Sequence, residues 1–406
     1  MEDKKLKKLI KAEEKRQTET LNLIPSENIV SKSVLEALGS VLTNKYSEGY
    51  SGKRYYAGNE IVDKIENLAK NRAKKVFKLS QDWNVNVQPY SGSPANIAIY
   101  LALVPVRGKI MGMRLDMGGH LTHGHKASAV GKLWKQIPYG VDKKTEMLDY
   151  DEILKIAKKE KPLLIVAGFT AYSRIIDFKK FRKIADSIGA ILMVDMSHFA
   201  GLVAGKVYPS PFKYADVVMT TTHKTLRGPR GAMIFSKKGF SEKIDKAVFP
   251  GMQGGPHINQ ITATATALYE ASKPEFKNYA KQIVKNAKAL AEELKKLDWR
   301  VISGGTDTHL LLIDVFSRGI GGKQASEILE KANIIVNKNT IPYDEKTPNN
   351  PSGIRLGTPA LTSRGMKEKE MKKIAKLIDK TLKEEENTTE IKKEVQRLCH
   401  KFPVKR

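Results

Sequence analysis

Several features of other protein classes are missing from this 406-residue sequence. The single cysteine, Cys399, excludes an internal disulfide framework and fits a reducing compartment. The longest apolar runs, such as residues 190–194, are too short to cross a bilayer. No low-complexity tract and no internal repeat occurs. The charged residues 1–20 are expected to form a surface helix rather than a signal peptide, so we expect a cytoplasmic protein.

Acidic residues are also scarce relative to basic ones. The chain has 44 Asp and Glu against 71 Lys and Arg, which gives a formal net charge of +27. Such a surplus can bind the phosphates of nucleic acid or of a membrane. Here the lysines are dispersed in short pairs within helical patterns, and no RGG tract, zinc finger or RNP-like aromatic strand occurs. We therefore expect a solvated lysine-rich surface rather than specific nucleic-acid or membrane binding.

What the sequence does contain is an alternation of short apolar strands and amphipathic helices from residue 60 to about 270. The pattern predicts strands at 84–88, 163–169, 190–195 and 216–221, and helices at 61–77, 93–104 and 177–189. Alternating strands and helices are typical of an α/β fold with a mostly parallel sheet covered by helices.

The pattern changes near residue 272, where long amphipathic helices become dominant. Helices are predicted at 272–297, 322–333 and 365–385, with a strand at 308–315. We therefore predict three parts, which are an N-terminal helical arm at residues 1–30, a large domain at 31–271 and a small C-terminal α+β domain at 272–406.

A polar segment follows the first predicted strand and precedes a helix. It contains Ser91, Gly92 and Ser93, and we predict Ser93 as the N-cap and Pro94 as the first helical residue. Hydroxyls and backbone N–H groups at a helix start can bind a phosphate. An ordinary capped helix is the alternative interpretation.

Two further strand ends carry ionisable groups. Asp195 ends the strand at 190–195, where a buried carboxylate requires a cation, a capping role or a cofactor, and His198 follows it. Lys224 follows the next strand, and the neighbouring cation Arg230 favours a lowered lysine pKa, as a covalent bond to a carbonyl requires. The hydroxyls beside Lys224, which could bind phosphate or the local backbone, belong to Thr220, Thr221 and Thr222. A phosphate site, a strand-end aspartate and such a lysine together indicate pyridoxal phosphate.

Three histidines, His120, His123 and His125, fall within six residues, a pattern that zinc sites also show. No cysteine is near and Asp116 is the one close carboxylate. We therefore expect no metal, and we expect the flat ring of His120 to stack on an aromatic cofactor.

A glycine-bearing loop is rich in tyrosine and too irregular for a core element. It indicates either an active-site loop with Glu48 as its acid, or a surface on which nucleic-acid bases stack. Its tyrosines are Tyr46, Tyr50, Tyr55 and Tyr56.

Further along, Arg355 is predicted to follow a strand and precede a proline-containing turn. Arginine can bind a carboxylate through two parallel hydrogen bonds, so Arg355 is a substrate-binding candidate, with a surface arginine as the alternative.

These segments closely resemble the serine hydroxymethyltransferase family, also called glycine hydroxymethyltransferase. Matching stretches follow the family's order from residue 22 to about 365 and include NLIPSEN, LTNKYSEGYSGKRYYAGNE, QPYSGSPAN, GGHLTHG, VDMSHFAGL, TTTHKTLRGPRGAMIF, VFPGMQGGPH and SGIRLGTPALTSRG. The resemblance implies a fold-type-I pyridoxal-phosphate transferase, in which a mostly parallel seven-stranded sheet with helices on both faces forms the cofactor-binding domain. It also implies reversible transfer of a hydroxymethyl unit between serine and tetrahydrofolate, which yields glycine and methylene-tetrahydrofolate, in a homodimer with shared active sites.

The resemblance further implies roles for individual residues. Lys224 would hold the cofactor covalently, Asp195 would pair with its pyridine nitrogen, and His120 would stack on its ring. The other implied cofactor-binding positions are Ser91, Gly92, Ser93, Thr170, His198 and His223, with Tyr46, Gly254 and Gly255 from the partner chain. The implied substrate- and folate-binding positions are Ser26, Glu48, Tyr56, Arg355, Leu115, Gly119, His120, Leu121, Thr347, Pro348 and Asn349. Glu48, with Tyr56 nearby, would handle protons beside the substrate hydroxyl, and His223 is counted with the catalytic residues.

The chain departs from the family's pattern at a few positions. Asn349 replaces the aromatic residue of a Ser-Pro-Phe stretch, which bears on folate packing, and Thr170 stands where the family usually has serine. Met117 stands where the family often has a histidine or another residue, and we attach little importance to this difference. Two alternative functions stay open, a folate-independent threonine-type aldolase on the same fold and a basic RNA-binding protein on a relic enzyme fold.

Overall fold

The structure of the chain, a computed structural model, describes residues 2–383 and 388–404. It forms two compact units, one of Val30–Lys281 and the other of Met1–Ile29 together with Gln282–Arg406. We call them the large unit and the small unit. The predicted domain limits near residues 30 and 272 remain predictions.

The elements of the described chain are as follows in chain order. The helices are α1 (Lys4–Glu19), α2 (Lys32–Leu38), α3 (Glu60–Phe77), α4 (Gly92–Leu103), α5 (Ala129–Leu133), α6 (Tyr150–Glu160), α7 (Phe178–Asp186), α8 (Ala200–Ala204), α9 (Lys238–Lys246), α10 (Ile258–Ala271), α11 (Pro274–Lys296), α12 (Gly322–Lys331), α13 (Pro359–Ser363), α14 (Glu368–Lys383) and α15 (Thr388–Lys401). The strands are β1 (Leu21–Asn22), β2 (Gly49–Tyr50), β3 (Lys53–Arg54), β4 (Trp83–Asn86), β5 (Lys109–Met113), β6 (Lys135–Tyr139), β7 (Leu164–Ala167), β8 (Ile191–Asp195), β9 (Val217–Thr221), β10 (Ala232–Lys237), β11 (Arg300–Val301), β12 (Leu310–Asp314), β13 (Ile334–Ile335), β14 (Asn337–Asn339) and β15 (Gly353–Gly357).

The large unit contains a seven-stranded sheet in the order β4-β10-β9-β8-β7-β5-β6. Strand β10 is antiparallel to both of its neighbours, and the other neighbouring pairs are parallel. This confirms the predicted α/β fold with a mostly parallel seven-stranded sheet. All residues of β7 and β9 are buried, as expected for strands in the middle of such a sheet.

Helices pack on this sheet through a core that the apolar periodicity predicts. Side chains of α4 such as Ile99 and Tyr100 lie in one buried cluster with Val166 of β7, Met193 of β8 and Met219 of β9. The predicted strands of this region are confirmed as β4, β7, β8 and β9, and the predicted helices as α3, α4 and α7. Strands β5, β6 and β10 had no counterpart among the predicted elements.

The small unit has an antiparallel sheet in the order β11-β12-β15-β14 and a two-stranded parallel sheet of β1 and β13. Residues near the N-terminus belong to it, because Leu21 and Leu23 lie in the same buried cluster as Ile334 and Leu356. The amide of Gly357 donates to the carbonyl of Leu23 over 2.7 Å. The predicted elements appear as α11, α12, α14 and β12, while residues 384–385 of the last predicted helix lie outside the described residues.

Nothing in the described ranges, 2–383 and 388–404, forms a helix that is both long and apolar enough to cross a membrane.

Candidate active site

The carboxyl ends of β8 and β9 lie side by side. The two strands are parallel, with Asp195 opposite Met219, so Asp195 and the segment after Thr221 emerge at the same edge of the sheet. The positive charge of Lys224 reaches Asp195, since it is one of the groups that lower the pKa of this carboxyl. The structure thus brings together the acid and the amine that the sequence placed at neighbouring strand ends.

Asp195 is buried and surrounded by hydrogen-bond donors. Its Oδ2 accepts from Asn96 Nδ2 (3.2 Å) and lies 3.1 Å from His123 Nε2, while its Oδ1 accepts from the Ser197 amide (3.0 Å). Burial by itself raises the pKa of Asp195, but the hydrogen bond from His123, the positive charge of Lys224 and the hydrogen bond from Ser197 outweigh it, so the net pKa lies below the usual range. Asp195 is therefore held as a carboxylate.

The direction of the bond between His123 and Asp195 follows from the other ring nitrogen. His123 Nδ1 accepts from the backbone amide of His120 over 3.3 Å, so in the neutral ring Nε2 carries the proton and donates to Asp195. His123 is almost fully buried. The ring therefore fixes the orientation of the Asp195 carboxylate as well as its charge.

His120, the predicted stacking residue, is fixed by a chain of hydrogen bonds. Asn96 Nδ2 donates to Thr122 Oγ1 (2.8 Å), and that hydroxyl in turn lies 2.7 Å from His120 Nδ1, which also accepts from the Thr122 amide (3.2 Å). The preceding Gly119 has no room for a side chain, because a Cβ there would lie 2.1 Å from the carbonyl oxygen of Met113. Asn96 thus connects the acid and the His120 ring through one amide group.

The helix after β4 begins two residues earlier than predicted. Its N-cap is Ser91 rather than Ser93, and Gly92 is the first helical residue. Ser91 is fully extended and its side chain makes no capping hydrogen bond. Pro94 is tolerated in the first turn, where its missing N–H would have no intrahelical acceptor. The interpretation of Ser93 and Pro94 as N-cap and first helical residue is therefore wrong by two positions.

The start of α4 lies directly against the end of β9. A Cβ on Gly92 would approach Thr221 Cγ2 to 2.8 Å, so only glycine allows this contact. The Thr221 hydroxyl and His223 Nδ1 are buried and have no hydrogen-bond partner among the described residues. Burial, followed by the charges of Lys224 and Arg230, lowers the pKa of His223 to about 3, so its ring stays neutral near pH 7. The Thr221 side chain lies against the helix start, and its hydroxyl and the nearby His223 imidazole keep unused hydrogen-bonding capacity after the end of β9.

The other threonines beside Lys224 bond to the backbone. Thr220 Oγ1 donates to the Thr221 carbonyl (2.7 Å) and Thr222 Oγ1 to the Pro229 carbonyl (2.6 Å). Thr225 Oγ1 donates to the His198 carbonyl (2.9 Å) and accepts from the Gly201 amide (2.9 Å). Thr225 thereby ties the loop that carries Lys224 to the loop after β8, which carries the predicted residue His198.

The loop after β5 is connected to the end of β7. The amide of Thr170 donates to the Gly118 carbonyl over 2.8 Å. This bond places Thr170, a predicted cofactor-binding residue, beside the segment that leads to Gly119 and His120. In the same segment Leu115 and Leu121, predicted folate contacts, are half-buried and exposed, respectively.

The tyrosine loop forms a second cluster within the large unit. Tyr46 Oη donates to Glu48 Oε1 over 2.8 Å, and this bond raises the pKa of the Tyr46 phenol. A Cβ on Gly254 would lie 3.2 Å from Glu48 Oε1, and one on Gly255 would lie 3.3 Å from the Tyr46 ring. Tyr56 packs edge-on against Tyr46, with 5.1 Å between ring centroids. Glu48, its two tyrosines and the glycine pair, all predicted site residues, are thus brought together.

Arg54 fixes this loop from the inside. Its Nη1 donates to the carbonyls of Ser47 (3.0 Å) and Gly49 (2.6 Å), the residues on either side of Glu48. Its other nitrogens pair with Asp63 (2.8 Å) and the fully buried Glu66 (2.7 Å). The Arg54 side chain is only 4% exposed. The position of the Glu48 backbone therefore depends on a buried ion cluster.

The predicted amino-acid ligands lie in the small unit. Arg355 occupies the middle of β15 rather than the position after a strand, and its Nε donates to Asn337 Oδ1 over 3.1 Å. Burial lowers the pKa of Arg355 to about 10, which leaves it charged at neutral pH. Ser26 follows Pro25, which contacts Gly357 at the end of the same strand. The exposed loop at residues 347–349 is stabilised by Lys338 Nζ, which donates to the Asn349 carbonyl over 2.7 Å.

Four residues of the site had no role in the sequence prediction: Asn96, His123, Thr225 and Arg54. His123 was visible only as a second histidine three residues after His120, and the other three carry ordinary polar side chains in known motifs. Among the described residues no group of three or more His, Cys, Asp or Glu side chains is arranged to hold a metal ion.

Comparison with known proteins shows which sequences this chain is similar to. A family model described as serine hydroxymethyltransferase matches residues 1–378. A protein named serine hydroxymethyltransferase from Desulfotalea psychrophila (strain LSv54 / DSM 12343) is 54% identical over 406 residues, which cover 99% of this chain and 95% of the relative. A protein of the same name from Koribacter versatilis (strain Ellin345) is 53% identical, with the same coverage of both chains.

Proposed function

The chain belongs to the serine hydroxymethyltransferase family, and we propose that it catalyses the reversible transfer of a hydroxymethyl unit between serine and tetrahydrofolate, yielding glycine and methylene-tetrahydrofolate. The meeting of Lys224, Asp195 and the start of α4 at one edge of the sheet carries this proposal. Neither a threonine-type aldolase nor an RNA-binding protein is favoured by the family match. Because a reduced Cys399 suits the cytoplasm, we propose that compartment as the site of action.

Pyridoxal phosphate is the cofactor that we propose, bound covalently to Lys224. The residues present fit this group. The Gly92 and Ser93 amides at the start of α4, the Thr221 hydroxyl and His223 Nδ1 offer hydrogen bonds to an anion without a side chain in the way. Ser91 would add its hydroxyl. When bound, the cofactor supplies a ring that accepts electrons from the substrate Cα.

Asp195 would hold the proton on the ring nitrogen. A carboxylate with a lowered pKa keeps its negative charge beside a protonated pyridine, and the Nε2–H of His123 keeps its second oxygen in place. The fixed ring of His120 would lie flat on the cofactor, and Thr170 and His198 would complete the ring's surroundings. These residues bind and orient; none of them needs to move during the reaction.

Arg355 and Ser26 are proposed to bind the carboxylate of serine. A planar guanidinium that donates two parallel bonds fixes the carboxylate and so aligns the bond that is to be broken. Arg355→Lys is expected to weaken serine binding by about 2 kcal/mol, roughly 30-fold in Kd. The reason is that a planar guanidinium with two parallel N–H donors is replaced by an ammonium group that acts as a point charge. The measurement is a serine titration followed by cofactor absorbance.

Arg318→Lys is the control for this prediction, since Arg318 is a half-buried arginine of the same unit whose Nη2 donates to the Leu297 carbonyl. It should leave the serine affinity unchanged. Equal affinities in the wild-type protein and Arg355→Lys would contradict the assignment of Arg355.

Glu48 is proposed to transfer a proton at the substrate hydroxyl and the incoming one-carbon unit, with Tyr56 nearby. Glu48→Gln keeps an acceptor for Tyr46 but cannot carry the proton, so the folate-dependent conversion of serine is expected to fall about 10²-fold. Folate-independent cleavage of 3-hydroxy amino acids should fall much less. Both rates are measured on the same preparation, with Glu60→Gln, an exposed acid at the start of α3, as the control. Equal losses of the two activities would remove the special role of Glu48.

We further propose a homodimer with shared active sites, in which the partner chain supplies Tyr46, Gly254 and Gly255. The support is that Tyr46, Tyr55 and Tyr56 expose 54%, 75% and 49% of their surface, a large aromatic area for one loop.

The pterin is expected to contact Leu115, Gly119, Leu121 and the loop at residues 347–349. Asn349 offers no ring for that contact, so we expect the leucines to supply most of the apolar surface.

Glycine formation from serine tests the whole proposal. It is expected to require added tetrahydrofolate and to produce methylene-tetrahydrofolate in equal amount. A rate that is the same without the pterin would favour the aldolase instead. A purified protein that stays colourless with pyridoxal phosphate would contradict the cofactor assignment.

A further inference from the structure

A cavity of about 420 Å³ opens at the other end of the large unit's sheet. Trp83, the first residue of β4, lines it together with residues in the last turns of α3 and α8 and in the segments that follow them. Strand β4 runs parallel to β9, because both are antiparallel to β10, so its first residue lies at the edge opposite Asp195 and Lys224. No residue that lines the cavity belongs to the candidate active site.

The floor of the cavity is aromatic. Trp83 and Phe212 pack edge-on with centroids 5.1 Å apart, and Phe77 lies 5.5 Å from Phe212. Each of the three side chains keeps a few per cent of its surface exposed, 6% for Trp83, 8% for Phe212 and 7% for Phe77. Such a floor is suited to a flat apolar or heteroaromatic group.

The rim of the cavity is cationic. Lys78, Lys206 and Lys213 line it, and the lining contains no acidic side chain. The close approach of the Lys78 ammonium and its charge lower the pKa of Lys206, and Lys277 adds a smaller effect of the same sign. The acid closest in sequence to the lining residues is Asp82, which accepts a hydrogen bond from the Ser80 hydroxyl over 3.2 Å. Like charges that lie this close repel each other, and a bound dianion would relieve the repulsion.

We propose that this cavity binds a small aromatic phosphate of about the size of a nucleoside monophosphate, with the phosphate between Lys78 and Lys206 and the ring against the aromatic floor. Lysine ammonium groups bind phosphate as point charges, and two of them match its double charge. The volume lies within the usual range for small-molecule pockets. The site is independent of the active site and of the function proposed for it.

Titration of the holoprotein with adenosine monophosphate tests the proposal, because the cofactor on Lys224 then fills the phosphate site of the active site. Adenosine and inorganic phosphate are the two matched probes. Calorimetry is expected to show one saturable site for the monophosphate and at least about tenfold weaker binding of either fragment. Tryptophan fluorescence should change with the same midpoint, since Trp83 lies in the cavity and the other two tryptophans are buried elsewhere.

Lys206→Asn and Lys78→Asn locate the site. Both lysines have a left-handed backbone (φ 59° and 55°), which asparagine also adopts, so the variants should fold, as circular dichroism will check. Each is expected to weaken monophosphate binding at least about tenfold, whereas Lys75→Gln, one turn earlier in α3 and outside the cavity, should not. Absence of saturable binding, equal binding of a fragment, or equal affinity of the asparagine variants and Lys75→Gln would each overturn the proposal.

Discussion

Replacing Lys224 with alanine is expected to abolish covalent retention of pyridoxal phosphate. After borohydride treatment, the wild-type protein should carry the cofactor on the peptide that contains Lys224, and Lys224→Ala should carry none. Serine conversion should fall by at least about 10²-fold, because the variant loses both the covalent anchor and a proton-transferring amine. Peptide mass spectrometry measures the first effect and glycine formation the second.

The control is Lys237→Ala, at the end of the adjacent strand β10. Lys237 pairs with Asp216 over 3.1 Å and opposes Trp83, so it lies at the far edge of the sheet from Lys224. This variant should retain the cofactor and most of its activity. Label on any peptide other than that of Lys224 would show that a different amine holds the cofactor.

Arg54→Met is expected to lower the free energy of unfolding by about 3 kcal/mol, because it leaves Glu66 buried with half of its compensating charge removed. Glu66 is 0% exposed. In the variant, its remaining cationic partner among the described residues is Lys70, whose Nζ lies 2.6 Å away. The variant also frees the Ser47 and Gly49 carbonyls that hold the Glu48 backbone. Urea unfolding followed by circular dichroism measures the stability.

An exposed ion pair serves as the control that separates the effect of burial from the effect of charge on stability. Arg114 Nε and Nη2 donate to the two carboxylate oxygens of Asp116, so it too makes two charge-assisted bonds, but the two side chains are 50% and 41% exposed. Arg114→Met should therefore cost less than about 1 kcal/mol. If Arg54→Met costs no more than Arg114→Met, the ion cluster beneath Glu48 does not stabilise the fold as we infer.

The acid and the amine could be predicted because parallel strands obey a simple rule. Asp195 and Lys224 each follow a short apolar run, and carboxyl ends of adjacent parallel strands meet at one edge. Helices α3 and α7 could be predicted from the sequence equally well, since their apolar residues recur at helical spacing over several turns. The start of α4 was less so, because Ser91 and Ser93 both satisfy the local preferences for an N-cap, and only the contact of Gly92 with Thr221 distinguishes them.

By itself the sequence determined the alternation of strands and helices and the family, and it supplied the candidate site residues, because these depend on local periodicity and on side-chain type. The tertiary structure alone decided that His123 holds Asp195, 72 residues away, and that Arg54 clamps the loop of Glu48. It also decided that β10 runs against its neighbours and that lysines gather over an aromatic floor at the far edge of the sheet. Each of these depends on which distant segments share a neighbourhood after folding, and short-range propensity contains no term for that.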